Sequence, residues 1–261
     1  MKVTVLGSGT SHGVPMIGCD CDVCTSTDPR NKRFRPSIMV TNGDYNILVD
    51  TTPELRMQSL ALGLRRVDAV LITHTHADHV MGLDDLRRFN DLADAEIPVF
   101  GMAEHLADIR RIYPYIFVET QKGGGKPRVS LHELRGDLQL GGMAVSNMQV
   151  LHGRISVTSY RFEAQRPDGS VGALAYVTDV SKIPEETMAG LRNLDVLILD
   201  AVRFEPHPTH FGLYQALDVI KELAPRHAYL THLSHNFEHS EVNAMLPPGI
   251  ELSYDGLSFE V

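Results

Sequence analysis

The stretch THTHADHVMG, from Thr73 to Gly82, carries three imidazoles and a carboxylate in the spacing His74-x-His76-x-Asp78-His79. In extended backbone, side chains two apart point to the same side, so His74 and His76 can reach one ion. The chain then turns into a helix whose apolar edge is Val80, Leu83 and Leu86. That turn can redirect Asp78 and His79 to a second ion nearby. Imidazole and carboxylate suit zinc, manganese or iron. One motif cannot complete two coordination shells, so other ligands must come from elsewhere. A second cluster lies earlier, in GCDCDVC, where Cys19, Cys21 and Cys24 are all the cysteines of the chain. Three thiols fall one short of a tetrahedral set. Without a metal they are reduced thiols in a loop, and their odd number argues against a disulfide framework.

Short apolar runs alternating with helix-period segments must position these groups, and the pattern is α/β. Strands are expected at 3–6, 38–40, 45–49, 69–72, 97–100, 144–150, 157–162, 172–177, 196–199 and 228–230. Asn42-Gly43 and Arg166-Pro167-Asp168-Gly169 read as hairpin turns. Helices are expected from Pro53 to Leu62, along Val80, Leu83 and Leu86, along Leu106, Ile109 and Ile112, after Pro184, and along Leu213, Leu217, Ile220 and Leu223. Six apolar runs end in a residue that can bind a metal or move a proton: Asp50, His74, His152, Asp179, Asp200 and His232. A single Asp or His after a strand is ordinarily a turn former. Six together mark the place where ligands gather in α/β sheets, beyond rigid strand ends.

The chain has 261 residues, 43% of them apolar, and a formal charge of −9. It reads as one domain over 1–261, with no linker and one flexible stretch, QKGGGKPR at 121–128. The opening MKVTVLGSGT lacks the apolar run of a signal peptide, and no segment approaches the ~20 apolar residues of a membrane span. A cytoplasmic protein without a membrane partner is therefore expected. The acidic balance disfavours long nucleic acid as a partner, whereas a small anionic substrate remains compatible because a metal supplies local positive charge.

His74-x-His76-x-Asp78-His79, followed in order by His152, Asp179 and His232, resembles the metallo-β-lactamase superfamily over nearly the whole chain. The resemblance implies an αββα sandwich of two mixed sheets flanked by helices, with a dinuclear site at one edge. It implies that His74, His76 and His152 hold the first metal and that Asp78, His79 and His232 hold the second. Asp179 would bridge them, with Asp50 in support. An Asp at the bridge separates the chain from the zinc β-lactamases, and His76 in place of Glu separates it from the iron-containing flavoprotein branch. Within the superfamily, the Cys-x-Cys-x-x-Cys loop after GSGTSHGVP, together with THLSH at Thr231–His235, is similar to the PhnP-type phosphodiesterases. That family hydrolyses phosphoribosyl cyclic phosphate, and homologues act on other small phosphodiesters. The likeness makes His235 the fourth ligand of a structural zinc with Cys19, Cys21 and Cys24. It also implies two manganese or zinc ions that activate hydroxide on a small phosphodiester, and it suggests a homodimer. His210, in HPTHFGLYQAL, resembles the family's additional histidine and is assigned as general acid or phosphate donor, with His207 as its rival. Asp78 would also orient the nucleophilic water.

Other readings stay open on the residues alone. A thioester hydrolase of the glyoxalase II kind shares His-x-His-x-Asp-His, but the cysteine loop and the lack of a helical substrate domain after His232 count against it. An RNA 3′-processing nuclease needs a basic arm that is not evident. A metal-binding scaffold without activity would have no use for His210. GSGTSHG has its third glycine misplaced for a dinucleotide loop and reads as a tight turn beneath the site. Lys122, Lys126 and Arg128 read as surface cations, and Tyr113, Tyr115 and Phe117 as packing residues. His105, His132, His227 and His239 receive no role.

Overall fold

The structure, a computed structural model, describes residues 1–118 and 125–261. Among these, fourteen strands form two sheets. The first holds β1 (Lys2–Gly7), β2 (Ser37–Asn42), β3 (Tyr45–Val49), β4 (Ala69–Leu71), β5 (Ile97–Gly101), β6 (Val129–Glu133) and, from the far end of the chain, β14 (Ser258–Glu260). Its order is β14-β1-β2-β3-β4-β5-β6. The second holds β7 (Leu138–Leu140), β8 (Met143–His152), β9 (Ile155–Gln165), β10 (Val171–Val177), β11 (Val196–Asp200), β12 (His227–Thr231) and β13 (Ile250–Leu252). Its order is β13-β12-β11-β10-β9-β8-β7. The sheets share one plan. From β14 to β3 and from β7 to β10 neighbours run antiparallel, whereas β3 to β6 and β10 to β13 run parallel. Parallel neighbours need crossovers, and helices supply them.

Period-2 alternation explains the layering. Val3, Val5, Ile47, Val49 and Leu71 face inward and meet Tyr160, Phe162, Leu174, Tyr176 and Ile198 of the other sheet. Their neighbours Leu48, Val70 and Ile72 face outward onto Leu55, Leu83, Leu86, Leu106 and Ile109. Across the molecule Val177, Leu199 and Leu230 pack on Leu213, Ala216, Ile220 and Val242. Central strands buried on both faces read as continuous apolar runs. The result is the expected αββα sandwich, with helices outside two mixed sheets.

The two turns form where expected: Asn42 pairs with Tyr45 across Gly43 (φ 57°), and Arg166 N donates to Ser170 O beside Gly169 (φ 84°). The helix along Val80, Leu83 and Leu86 does not run continuously. It divides into Ala77–Val80, a 3-10 turn Leu83–Asp85 and Leu86–Ala93. The break has a steric cause at Gly82. Its N–H donates to Thr51 O at 2.9 Å, and a Cβ there would lie 1.9 Å from Thr52 O. The helix is interrupted where its backbone presses on the Asp50 loop. Strands β6, β7, β13 and β14 were not expected; all four are edge or near-edge strands, and three have only three residues each. The expectation for 121–128 falls partly outside the described residues, Lys122 included. Of the rest, Lys126 Nζ donates to Val118 O, and Arg128 Nη2 is held by Asn90 O and Asp94 Oδ1. No helix among the described residues is long and apolar enough to cross a membrane.

Candidate metal centre

The C-terminal ends of the parallel strands converge. Asp50 follows β3, Asp179 lies two residues past β10, and His232 follows β12. All three have left-handed backbone, with φ of 63°, 53° and 61°. Side chains other than glycine pay strain of order 1–3 kcal/mol for that region and keep it where the surroundings hold them there. The twist turns each side chain out of its strand direction and into the cleft. Asp50 is fully buried and accepts from Thr73 N at 2.8 Å and Thr73 Oγ1 at 2.7 Å. His79 Nδ1 donates to Asp50 Oδ2 at 2.7 Å, which fixes the ring and turns Nε2 to the cluster.

His79 Nε2 then lies 3.3 Å from Asp78 Oδ2 and 3.2 Å from Asp179 Oδ2. His232 Nε2 lies 3.3 Å from Asp179 Oδ1 and 3.8 Å from Asp78 Oδ2. The four ligand atoms of Asp78, His79, Asp179 and His232 fall within 4.8 Å of one another. The other three expected ligands are adjacent. His74 Nε2 is 2.9 Å from His76 Nδ1 and 4.0 Å from Asp179 Oδ1. The His152 ring centroid is 5.2 Å from that of His76, and its Nδ1 donates to Thr209 O at 2.6 Å, so Nε2 is the free ligand atom. Asp179 touches both groups, as a bridge would.

The donor set fits divalent cations. Asp50, Asp78, Asp179 and Asp200 are buried together, and His79 Nε2 and His232 Nε2 have no hydrogen-bond partner among the described residues. Burial alone would drive His232 down, yet Asp179 and Asp78 hold it up at about 9. His79 is raised well above its usual range by the same carboxylates, against burial. Burial would raise Asp78, but the charge of His79 and the nearness of His232 hold it far below its usual range. Buried carboxylates that draw protons onto neighbouring imidazoles are a site that calls for positive charge.

The cysteine loop meets the far end of the chain. His235 Nδ1 lies 3.2, 3.4 and 3.7 Å from the Sγ atoms of Cys19, Cys21 and Cys24. The backbone hydrogen bond from Cys24 is the main cause holding the Cys21 thiol down at about 6. Cys₃His at these separations suits a closed tetrahedral zinc.

Sequence reading left two features of the cleft unassigned. Asp200 stood out as a strand-end acid without a role, and its Oδ2 accepts from His210 Nδ1 at 2.8 Å. The GSGTSHG turn closes through Gly13 N to Thr10 O at 2.7 Å and puts His12 into a cavity of about 460 Å³, with Arg203, His207, His210 and Asn236. A histidine in a glycine-rich turn was the available signal for His12.

The profile described as "Beta-lactamase superfamily domain" matches residues 45–233. A crystal structure of a diphosphatase from the PhnP family covers 100% of this chain and 97% of its own, at 40% identity and a TM-score of 0.90. This chain belongs to the metallo-β-lactamase superfamily, in its PhnP-type branch. Membership brings the fold of a metal-binding hydrolase. Zinc-bound PqqB from Methylobacterium extorquens has the same fold, at a TM-score of 0.80 and 19% identity, with 100% of both chains covered. The chain is also 36% identical, over 98% of its length, to an octanoyltransferase of Porphyromonas gingivalis, of which it spans about half, 51%.

Proposed function

We propose that this PhnP-type protein is a metal-dependent phosphodiesterase that hydrolyses a small phosphodiester. The observation that carries this reading is the convergence of Asp78, His79, Asp179 and His232 with His74, His76 and His152, beside a cavity whose walls hold Arg203 and several imidazoles and, among the described residues, no carboxylate. His74, His76 and His152 would hold one ion, Asp78, His79 and His232 another, and Asp179 both. Bound there, two zinc or manganese ions supply Lewis acidity, lowering the pKa of water and neutralising the charge on phosphate oxygens. A third, zinc, would sit in Cys19, Cys21, Cys24 and His235 and pin the loop that carries Met16 to the strand end that carries His232.

The chain's own residues handle orientation and protons. Asp50 fixes His79, and Thr209 O fixes His152. Asp78 orients the attacking water. As the water oxygen bonds to phosphorus and the bond to the leaving alcohol breaks, that alcohol needs a proton. Asp200 holds the Nδ1 proton of His210, so Nε2 is the nitrogen that delivers it. The proton lost by water passes to solvent and restores His210. His207 sits farther out, its ring 5.2 Å from that of His210 and its Nδ1 accepting from Thr209 N and Oγ1. Among the described residues it lacks a carboxylate partner, which favours His210 as the acid.

The test is hydrolysis of bis(p-nitrophenyl) phosphate by protein stripped of metal and resupplied with manganese or zinc. Turnover that returns with metal and is absent in His76→Ala supports the reading. Cleavage of a thioester with no turnover of the diester would replace it with thioester hydrolysis.

A further inference from the structure

A second cavity, of about 370 Å³, shares His76 with the first and is otherwise lined by different residues. Its wall includes Glu104, His105, Asp108, Ile155 and Ser156. The two openings share His76 and differ in charge. The larger has Arg203 and no carboxylate in its lining, and the smaller has two carboxylates and no Lys or Arg, both counted among the described residues.

The groups of the smaller cavity are not equally free. Asp108 is engaged, accepting from Thr75 Oγ1 at 2.9 Å and from Arg111 Nη2 at 3.0 Å. Glu104 is exposed and makes no ion pair among the described residues. His105 is about 95% buried, being 5% exposed, and its Nδ1 has no hydrogen-bond partner among the described residues. Burial holds His105 below its usual range, so it stands in this wall as a neutral imidazole with unused hydrogen-bonding capacity. Ile155, 43% exposed, adds an apolar surface beside these polar groups.

We propose that this smaller cavity is the subsite for the ester arm that stays on phosphorus, and that it selects a cationic amino-alcohol arm over an anionic one. The inference rests on the phosphodiesterase reading. There His210 protonates the leaving oxygen, and His210 lines the larger cavity, so the leaving alcohol departs on that side. In-line displacement puts the retained ester oxygen off the line of attack. The smaller opening, which shares His76 with the larger, is where that arm can extend. A free carboxylate attracts an ammonium group there and repels a second anion, and Ile155 accommodates the methyls of a quaternary amine.

Three diesters that all release p-nitrophenolate isolate the retained arm: p-nitrophenyl phosphorylcholine, the p-nitrophenyl ester of thymidine 5′-monophosphate, and p-nitrophenyl 2-carboxyethyl phosphate. The expected order of kcat/KM is choline, then thymidine, then carboxyethyl, with about tenfold between first and last, as one close charge interaction near a surface allows. Glu104→Gln should shrink that ratio about fivefold through KM, and Glu104→Lys should reverse it. Calorimetric binding of phosphocholine to the metal-loaded protein, weakened several-fold in Glu104→Gln, reads the same subsite without turnover. An unchanged ratio and unchanged phosphocholine binding in Glu104→Gln would overturn the subsite. Glu104-dependent phosphocholine binding with no hydrolysis of any diester would keep the subsite and overturn the phosphodiesterase reading.

Discussion

Asp200 Oδ2 receives two hydrogen bonds, from His210 Nδ1 at 2.8 Å and from Val180 N at 2.9 Å, while Oδ1 lies 3.8 Å from Nδ1 of His232. One carboxylate thus sets the orientation of the proposed acid and faces the back of a proposed metal ligand. Asp200→Asn keeps the shape and loses the charge. We expect kcat on a dialkyl phosphodiester, whose leaving alkoxide needs the proton, to fall by about 10²-fold with KM little changed, since positioned acids contribute about 10²–10⁴-fold. Circular dichroism and metal content should match the wild type. A loss confined to KM would show that His210 binds substrate and gives it no proton.

The cysteine loop should behave as a separate metal site. Cys24 is buried among Val14, Val23 and Met16, and His235 is the one protein ligand expected from the other end of the chain. Cys24→Ser should bind about one zinc fewer per chain by elemental analysis. Losing a buried metal clip of this kind should lower Tm by about 5–10 °C, corresponding to a few kcal/mol. Unchanged zinc content would leave the three thiols without a metal.

Gly82 has no room for a side chain. A methyl there would meet the carbonyl oxygen of Thr52 at 1.9 Å, and that backbone carries Asp50 two residues before. Relief requires the His79 helix and the Asp50 loop to part. Gly82→Ala should destabilise by about 2–3 kcal/mol and weaken metal retention together. Chemical denaturation and dialysis against a chelator would measure the two. A stable variant with weakened metal binding would locate the effect in the site rather than the fold.

His239 should make part of the stability depend on pH. It is 2% exposed, and burial, followed by the charges of Arg30 and Arg33, lowers it from 6.5 to about 4. Below pH 6.5 the unfolded chain takes a proton that the folded chain refuses, so stability falls as pH drops from about 6.5 to 4. His239 Nε2 faces Asn243 Nδ2 at 2.9 Å, an acceptor role that glutamine can fill. His239→Gln should therefore lose less stability than the wild type between pH 7 and pH 5, as read from urea midpoints. Equal losses would assign the acid sensitivity to other groups.

Local pattern carried much of this. The apolar runs at 45–49, 69–72 and 196–199 appear as central strands because both of their faces are covered, and a doubly buried strand has no polar alternation to disguise it. The short edge strands β7, β13 and β14 lacked such a signal, since their pairing comes from distant neighbours. The helix after His79 was misjudged for a related reason: Gly82 is tolerable in a helix by type, and its contact with Thr52 lies 30 residues away in sequence.

By itself the sequence determined the chemistry on offer. His74, His76, Asp78 and His79 are set by spacing, and the strand-end positions of Asp50, His152, Asp179 and His232 follow from where apolar runs stop. Both are local properties of the chain. Tertiary structure alone decided which of these groups meet. It joined His235 to Cys19, Cys21 and Cys24 across more than 200 residues, gave His210 rather than His207 the carboxylate of Asp200, and put His12 and Glu104 in two different cavities that share His76. Those outcomes depend on how two sheets stack and how strand ends turn through left-handed backbone. Neither is written in the spacing of any single segment.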